Sequence, residues 1–218
     1  MGALQAGLEG VVVAETVLSD VDGERGRLTI AGQDVERLAG HTRFEDVAAL
    51  LWSAAGGLGE RTRELIAAGR TEAFRMLPRL GDALQQEDGM DALRAAAAHL
   101  SASDVDAPAL LTGAMATFAT AWFRSRRGLP PVAPDNSLGH AEDLLRMVHG
   151  KRSLAAQERA LDVYLVTVVD HGMNASTFAA RVVASTQSDM VSAVVAALGA
   201  LKGPLHGGAP GPVLDMLD

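Results

Sequence analysis

Cysteine is absent from all 218 residues, which removes disulfides, thiolate nucleophiles and cysteine-based zinc sites together. Aromatic residues are scarce, at 4% with a single tyrosine, while Ala, Leu and Val abound. A core poor in rings and rich in straight and small aliphatics is built from helix faces rather than from sheets. Basic residues are outnumbered, 19 Lys and Arg against 27 Asp and Glu, and the formal charge of −8 excludes a broad nucleic-acid footprint. The only basic knot is Arg124, Arg126 and Arg127. It sits at the end of a predicted helix, where cations complement the negative dipole end, with a phosphate-bearing ligand as the alternative. No apolar run reaches the roughly 18–20 residues of a membrane span, and the Met-Gly-Ala-Leu start lacks a signal peptide's basic flank and apolar stretch. The expectation is a soluble, cytoplasmic protein with no membrane or nucleic-acid partner.

What is present points to one folded domain. Hydrophobic residues at 48% and charged residues at 21% match globular usage. Two β-prone runs flank Asp22-Gly23, a dipeptide that supplies the positive φ of a tight turn, and predict a hairpin or ribbon within residues 7–34. From Asp34 onward apolar residues recur at helical spacing. The expected fold is therefore all-α with a small N-terminal β-ribbon, divided as residues 1–34 and 35–218.

Thr42-Arg43-Phe44-Glu45 spells a capping box for a helix that ends near Gly56-Gly57. Pro78 splits the helical run between Glu60 and Gln86, and Asp106-Ala107-Pro108 starts a helix that ends before Gly128. The proline-rich stretch 128–137 reads as a loop within the domain. Further helices are expected near Leu138 to His149, Leu154 to Val169, Ser176 to Thr186 and Asp189 to Ala200, with a last one starting near Ala209. That last helix lacks a stop signal before Asp218.

Six histidines are the candidates for proton chemistry. His41, His99, His140 and His149 sit among polar residues at helix edges and read as surface or capping residues. His206 lies in the turn Gly203-Pro204-Leu205-His206-Gly207-Gly208, where glycines let the backbone approach a ligand and the following helix start favours an uncharged imidazole that donates one N–H. A loop histidine satisfied by the backbone fits the segment equally well. His171, Asn174, Ser176 and Thr177 cluster where one helix ends and the next begins, a set of donors and acceptors able to fix a small polar ligand. Simple helix capping is the competing reading. Arg181 faces either that cleft or solvent. Metal-binding His spacings, phosphate loops and hydrolase nucleophile motifs are all missing, so no metal is expected.

Taken together, residues 170–189 and 197–217 closely resemble the two signature segments of the large helical domain of citrate and 2-methylcitrate synthases. Residues 7–28 look like that family's N-terminal ribbon and residues 135–150 like its central helical stretch. The resemblance implies a citrate synthase-like large domain, and an acyltransferase that adds enolised acetyl-CoA to oxaloacetate and hydrolyses the thioester. It implies that His206 hydrogen-bonds the thioester oxygen, that His171 and Asn174 bind oxaloacetate, and that Ser176 and Gly207 support His206. It requires no cofactor beyond the CoA thioester substrate, acetyl-CoA or propionyl-CoA.

Departures accompany the matches. The family's Gly-His-Arg segment, its catalytic aspartate and the arginines that clamp oxaloacetate have no counterpart before Asp218, so the resemblance implies a chain that stops short of the small domain. Ala31 replaces a frequent basic residue, and Val168 a polar or aromatic one. The expected protein is a homodimer, catalytic when completed by further C-terminal sequence or by a complementing subunit. The alternative is a non-catalytic helical module that pairs with a citrate synthase-like partner for assembly or regulation.

Overall fold

A computed structural model of the chain describes residues 12–57, 59–101, 106–207 and 215–216. The hairpin pairs β1 (Ser19–Asp22) antiparallel with β2 (Arg27–Ile30), Ser19 opposite Ile30 and Asp22 opposite Arg27. The turn differs from the expected one: Gly26 carries the positive φ of 61°, and Asp22 instead accepts a hydrogen bond from the Arg25 amide at 3.1 Å. A third strand, β3 (Gln33–Asp34), follows a second turn in which Ala31 and Gly32 are both left-handed. Ile30 is fully buried among Leu38, Val47, Leu51 and Val166, and Leu18 and Leu28 pack against the same cluster, which fastens the ribbon to the helices.

The helices run α1 (Val35–Leu38), α2 (Phe44–Ala54), α3 (Thr62–Met76), α4 (Gly89–Ala97), α5 (Ala107–Ser125), α6 (His140–His149), α7 (Ala155–Thr167), α8 (Ala175–Ala184) and α9 (Met190–Leu201). Pro78 ends its run as expected, but in place of a second helical piece the chain makes two 3-10 turns, Leu77–Arg79 and Ala83–Gln85. The long α5 lies at the centre. It meets α3 so closely that a side chain at Gly69 would come within 2.7 Å of the Ala109 carbonyl oxygen and 2.9 Å of Leu110 Cα. Phe118, Leu111 and Ala114 of α5 pack with Ala96 of α4 and Val191 of α9 in the main core. α8 packs on α9, and α9 in turn meets α4 and α5, which joins this pair to the body. Among the described residues no helix is long and apolar enough to cross a membrane.

The starts of α2 and α6 are capped across the fold, whereas Asp34, Asp88, Asn174 and Asp189 cap α1, α4, α8 and α9 locally, and this corrects one expectation. The box at Thr42–Glu45 does not form: the N-cap is Arg43, without a side-chain cap, and the Phe44 amide donates to Asp162 Oδ1 of α7 at 3.0 Å. Burial pushes the Asp162 carboxyl above its ordinary pKa, and the Phe44 amide bond counters part of that rise. Glu45 is itself buried and accepts from the amide of His140, the first residue of α6, at 2.6 Å. Arg124 behaves as the structural reading held. It donates to the Val148 carbonyl at the far end of α6 at 2.9 Å and to the Pro130 carbonyl in the loop after α5 at 2.6 Å. Arg127 lies over the Phe123 ring, 3.6 Å from its centroid.

His140 is not a surface histidine. It is 4% exposed, stacks on Phe44 and sits beside Arg70, whose Nη1 lies 3.2 Å from His140 Nδ1. A guanidinium only donates, so Nδ1 accepts and the imidazole is neutral. Burial first, and the Arg70 charge second, hold its pKa down to about 3. In the unfolded chain the value returns to about 6.5, so between those pH values the unfolded state binds a proton the folded state refuses. Stability should fall as pH drops through that window, by up to about 1.4 kcal/mol per pH unit, with no contribution from this residue above it. Urea denaturation across about pH 5–7 checks this. His140→Asn should have the shallower slope, and equal slopes for the two proteins would refute the assignment.

Candidate active site

The site grows from the start of α8. α7 stops at Thr167, and the chain crosses Asp170, His171 and a left-handed Gly172 (φ 83°) before Asn174 caps α8. Asn174 Oδ1 accepts from the Thr177 amide at 2.9 Å. That bond leaves the amide nitrogen facing His171, with Nδ2 3.2 Å from Nε2 of the ring. An NH₂ group donates, so Nε2 is the acceptor and the ring proton resides on Nδ1, free for a ligand.

Two residues beyond Asn174, on the same turn of α8, Ser176 Oγ lies 2.6 Å from His206 Nε2. His206 arrives from the other side. After α9, the amides of His206 and Gly207 both bond to the Gly203 carbonyl, at 2.9 and 3.0 Å. Gly207 has no room for a side chain, because a Cβ there would collide with the Leu201 carbonyl oxygen. Lys202, just ahead of this turn, pairs with Asp91 and ties the end of α9 to the start of α4. The Lys202 ammonium, through its hydrogen bond first, holds the Asp91 carboxyl below its ordinary range.

The expected residues are therefore brought together. Asn174 and Ser176 each hold one histidine at a single helix start, where the aligned peptide dipoles favour negative charge. His171 is exposed and His206 is half-buried. Arg181 is exposed, as His171 is, and among the described residues makes no hydrogen bond to either histidine. The helix expected from Ala209 lies outside the described residues. Among the described residues no group of three or more His, Asp or Glu side chains is arranged to hold a metal ion.

Sequence reasoning missed the other half of the setting. Ser19 of β1 donates its hydroxyl to Asp170 Oδ1, the oxygen that also accepts from the Gly172 amide at 2.8 Å. No spacing rule links residues so far apart; the only sequence hint is that Asp170 precedes His171. Beside Asp170 a cleft of about 430 Å³ opens between Leu18, Phe44, Trp52, Val168 and Val169. The valine at 168 gives this wall an apolar surface.

A helical body with a three-stranded ribbon and two histidines gathered at one helix start defines a class of protein, and comparison with known sequences and structures names it. The family model "Citrate synthase, C-terminal domain" matches residues 7–218, and the chain belongs to the citrate synthase family. It is 39% identical over 234 residues to a citrate synthase of Haloferax volcanii, covering 99% of this chain and 62% of that protein. It is 40% identical over 230 residues to a 2-methylcitrate synthase of Mycobacterium tuberculosis, covering 99% of this chain and 58% of that one. The crystal structure of citrate synthase from Thermotoga maritima superposes with a TM-score of 0.83 at 34% identity, over 98% of this chain and 60% of the other. Citrate synthase of Thermoplasma acidophilum, solved as a ternary complex with carboxymethyl coenzyme A and oxaloacetate, gives 0.74 at 32% identity, over 92% of this chain and 56% of the other. The chain thus spans about 60% of the length of these relatives.

Proposed function

We propose that the chain supplies the acyl-activating half of a citrate synthase-type active site. The reaction is acetyl-CoA, or propionyl-CoA in the methylcitrate variant, plus oxaloacetate and water giving the tricarboxylate and free CoA. His206 donates Nδ1–H to the thioester carbonyl oxygen, which gathers negative charge as the α-proton leaves and the enol forms. Ser176, donating to Nε2, fixes the ring in the tautomer that has Nδ1–H available. His171 offers its own Nδ1–H to oxaloacetate, with Asn174 holding Nε2. The base that removes the α-proton and the cations that clamp the oxaloacetate carboxylates come, in this proposal, from outside residues 1–218. The enol carbon then attacks the ketone of oxaloacetate, and water cleaves the thioester to release CoA. Exposed apolar side chains on α8 and α9, Val182, Met190 and Leu201, support self-association through that pair.

The observation that carries this reading is the pairing of Asn174 with His171 and Ser176 with His206 on one turn of α8. Isothermal titration of the chain with oxaloacetate tests it. Binding heat is expected, and His171→Ala should weaken the affinity by about tenfold or more, the loss of one hydrogen bond to a charged ligand. Equal isotherms for parent and variant, or no heat from either, would remove the substrate-binding role.

A further inference from the structure

We propose that Ser19, on the N-terminal ribbon, is a positioning residue for His171, acting through Asp170; the assignment rests on the reading of His171 as the oxaloacetate ligand. An aspartate accepting from the amide two residues on forms a local turn that many sequences adopt without further support. Here the same oxygen, Oδ1, also receives the Ser19 hydroxyl, so the carboxylate is held from the loop and from the ribbon together. Ser19 is a firm anchor. It is 8% exposed and pairs in register with Ile30, whose side chain is locked in the core between α2 and α7.

The backbone of the loop fits the same contact. Gly172 is left-handed, and a Cβ placed on it would lie 3.8 Å from Val21 Cγ2 and 4.0 Å from Ser19 Oγ. The ribbon therefore lies directly against the turn that carries His171. The chain from Asp170 to Asn174 is consequently held at both ends, by Ser19 before the histidine and by the α8 cap after it. The exposed imidazole between these points has little packing of its own, so its orientation depends on them. With the Ser19 bond gone, Asp170 retains only the bond to its own loop, the His171–Asn174 pairing loosens, and the ring samples the Nε2–H tautomer.

Nitrogen-15 NMR of the histidine side chains tests this without any ligand, the His171 signals being identified by their loss in His171→Ala. The parent should show His171 in the Nδ1–H tautomer, Ser19→Ala should show a mixture, and Ser19→Thr, which keeps the hydroxyl, should match the parent. A parallel titration should show Ser19→Ala binding oxaloacetate about fivefold more weakly than the parent. Identical His171 nitrogen shifts in the parent and Ser19→Ala overturn the proposal. A parent that binds no oxaloacetate defeats the functional reading alone, because the tautomer measurement still decides the role of Ser19.

Discussion

His206→Ala is expected to lower CoA release from acetyl-CoA and oxaloacetate by about 10²–10³-fold, when the chain is assayed together with the sequence or subunit that completes the site. The size follows from where the charge develops. Neutral thioester oxygen in the ground state accepts a hydrogen bond weakly, whereas the oxygen of the forming enol gathers charge and accepts strongly. The interaction therefore acts mainly in the transition state, so kcat should carry the loss and KM for the acyl-CoA should change little. His206→Gln, which keeps a donor without the fixed tautomer, should retain an intermediate rate. Release of free CoA in a coupled assay measures all three. Less than about a threefold change in His206→Ala would remove His206 from the chemistry. Silence of the parent with every completing segment would favour the non-catalytic assembly module instead.

Arg70→Met is expected to destabilise the fold by about 3–5 kcal/mol, the cost of leaving a buried partner charge uncompensated. Arg70 is 1% exposed and Asp143 0% exposed, joined at 2.8 Å. The same guanidinium donates to His140 Nδ1 at 3.2 Å and to the Leu138 carbonyl at 3.3 Å. Burial pulls the guanidinium's pKa below its ordinary value, and the adjoining Asp143 restores part of it. Asp143 keeps Arg146, at 2.7 Å, and the Asp135 amide, at 3.1 Å, after the substitution. The loss should therefore fall toward the lower bound. Arg70→Lys should recover little, because an ammonium cannot present three fixed, diverging N–H groups to those partners. Guanidinium denaturation midpoints test the pair of variants. A change below about 1 kcal/mol in Arg70→Met would show that the network is not a stabilising junction between α3 and α6.

These two sites differ in how far the sequence revealed them. His206 stands in a glycine turn whose composition is itself a signal, and Gly207 proves to be a position without space for a side chain. His140 gave no such signal. Its neighbours Glu142 and Asp143 made it look solvated, yet Asp143 is buried because Arg70 of α3, together with Arg146 one turn along α6, neutralises it. α4 escaped notice for a different reason. It begins on a glycine, and although its two faces contrast clearly, the residues it buries most deeply are alanines, Ala92, Ala96 and Ala97, rather than the large aliphatics that mark a core face. Around Asp22-Gly23 the hairpin was legible while its turn was not, since either glycine of the segment can take the left-handed position and the ladder register selects Gly26.

The sequence alone determined where most of the longer helices run, that Pro78 and residues 128–137 break them, and that His171 and His206 stand apart from the other histidines. Hydrophobic spacing, proline and glycine act over a few residues, and short-range effects are written in short-range order. Partner choice belonged to the tertiary structure. Glu45 caps α6 instead of its own helix, Asp162 caps α2, Ser176 reaches His206 and Ser19 reaches Asp170. A hydrogen bond requires proximity in space alone, and these partners lie between 30 and 151 positions apart along the chain, so only the packed helices could bring them together.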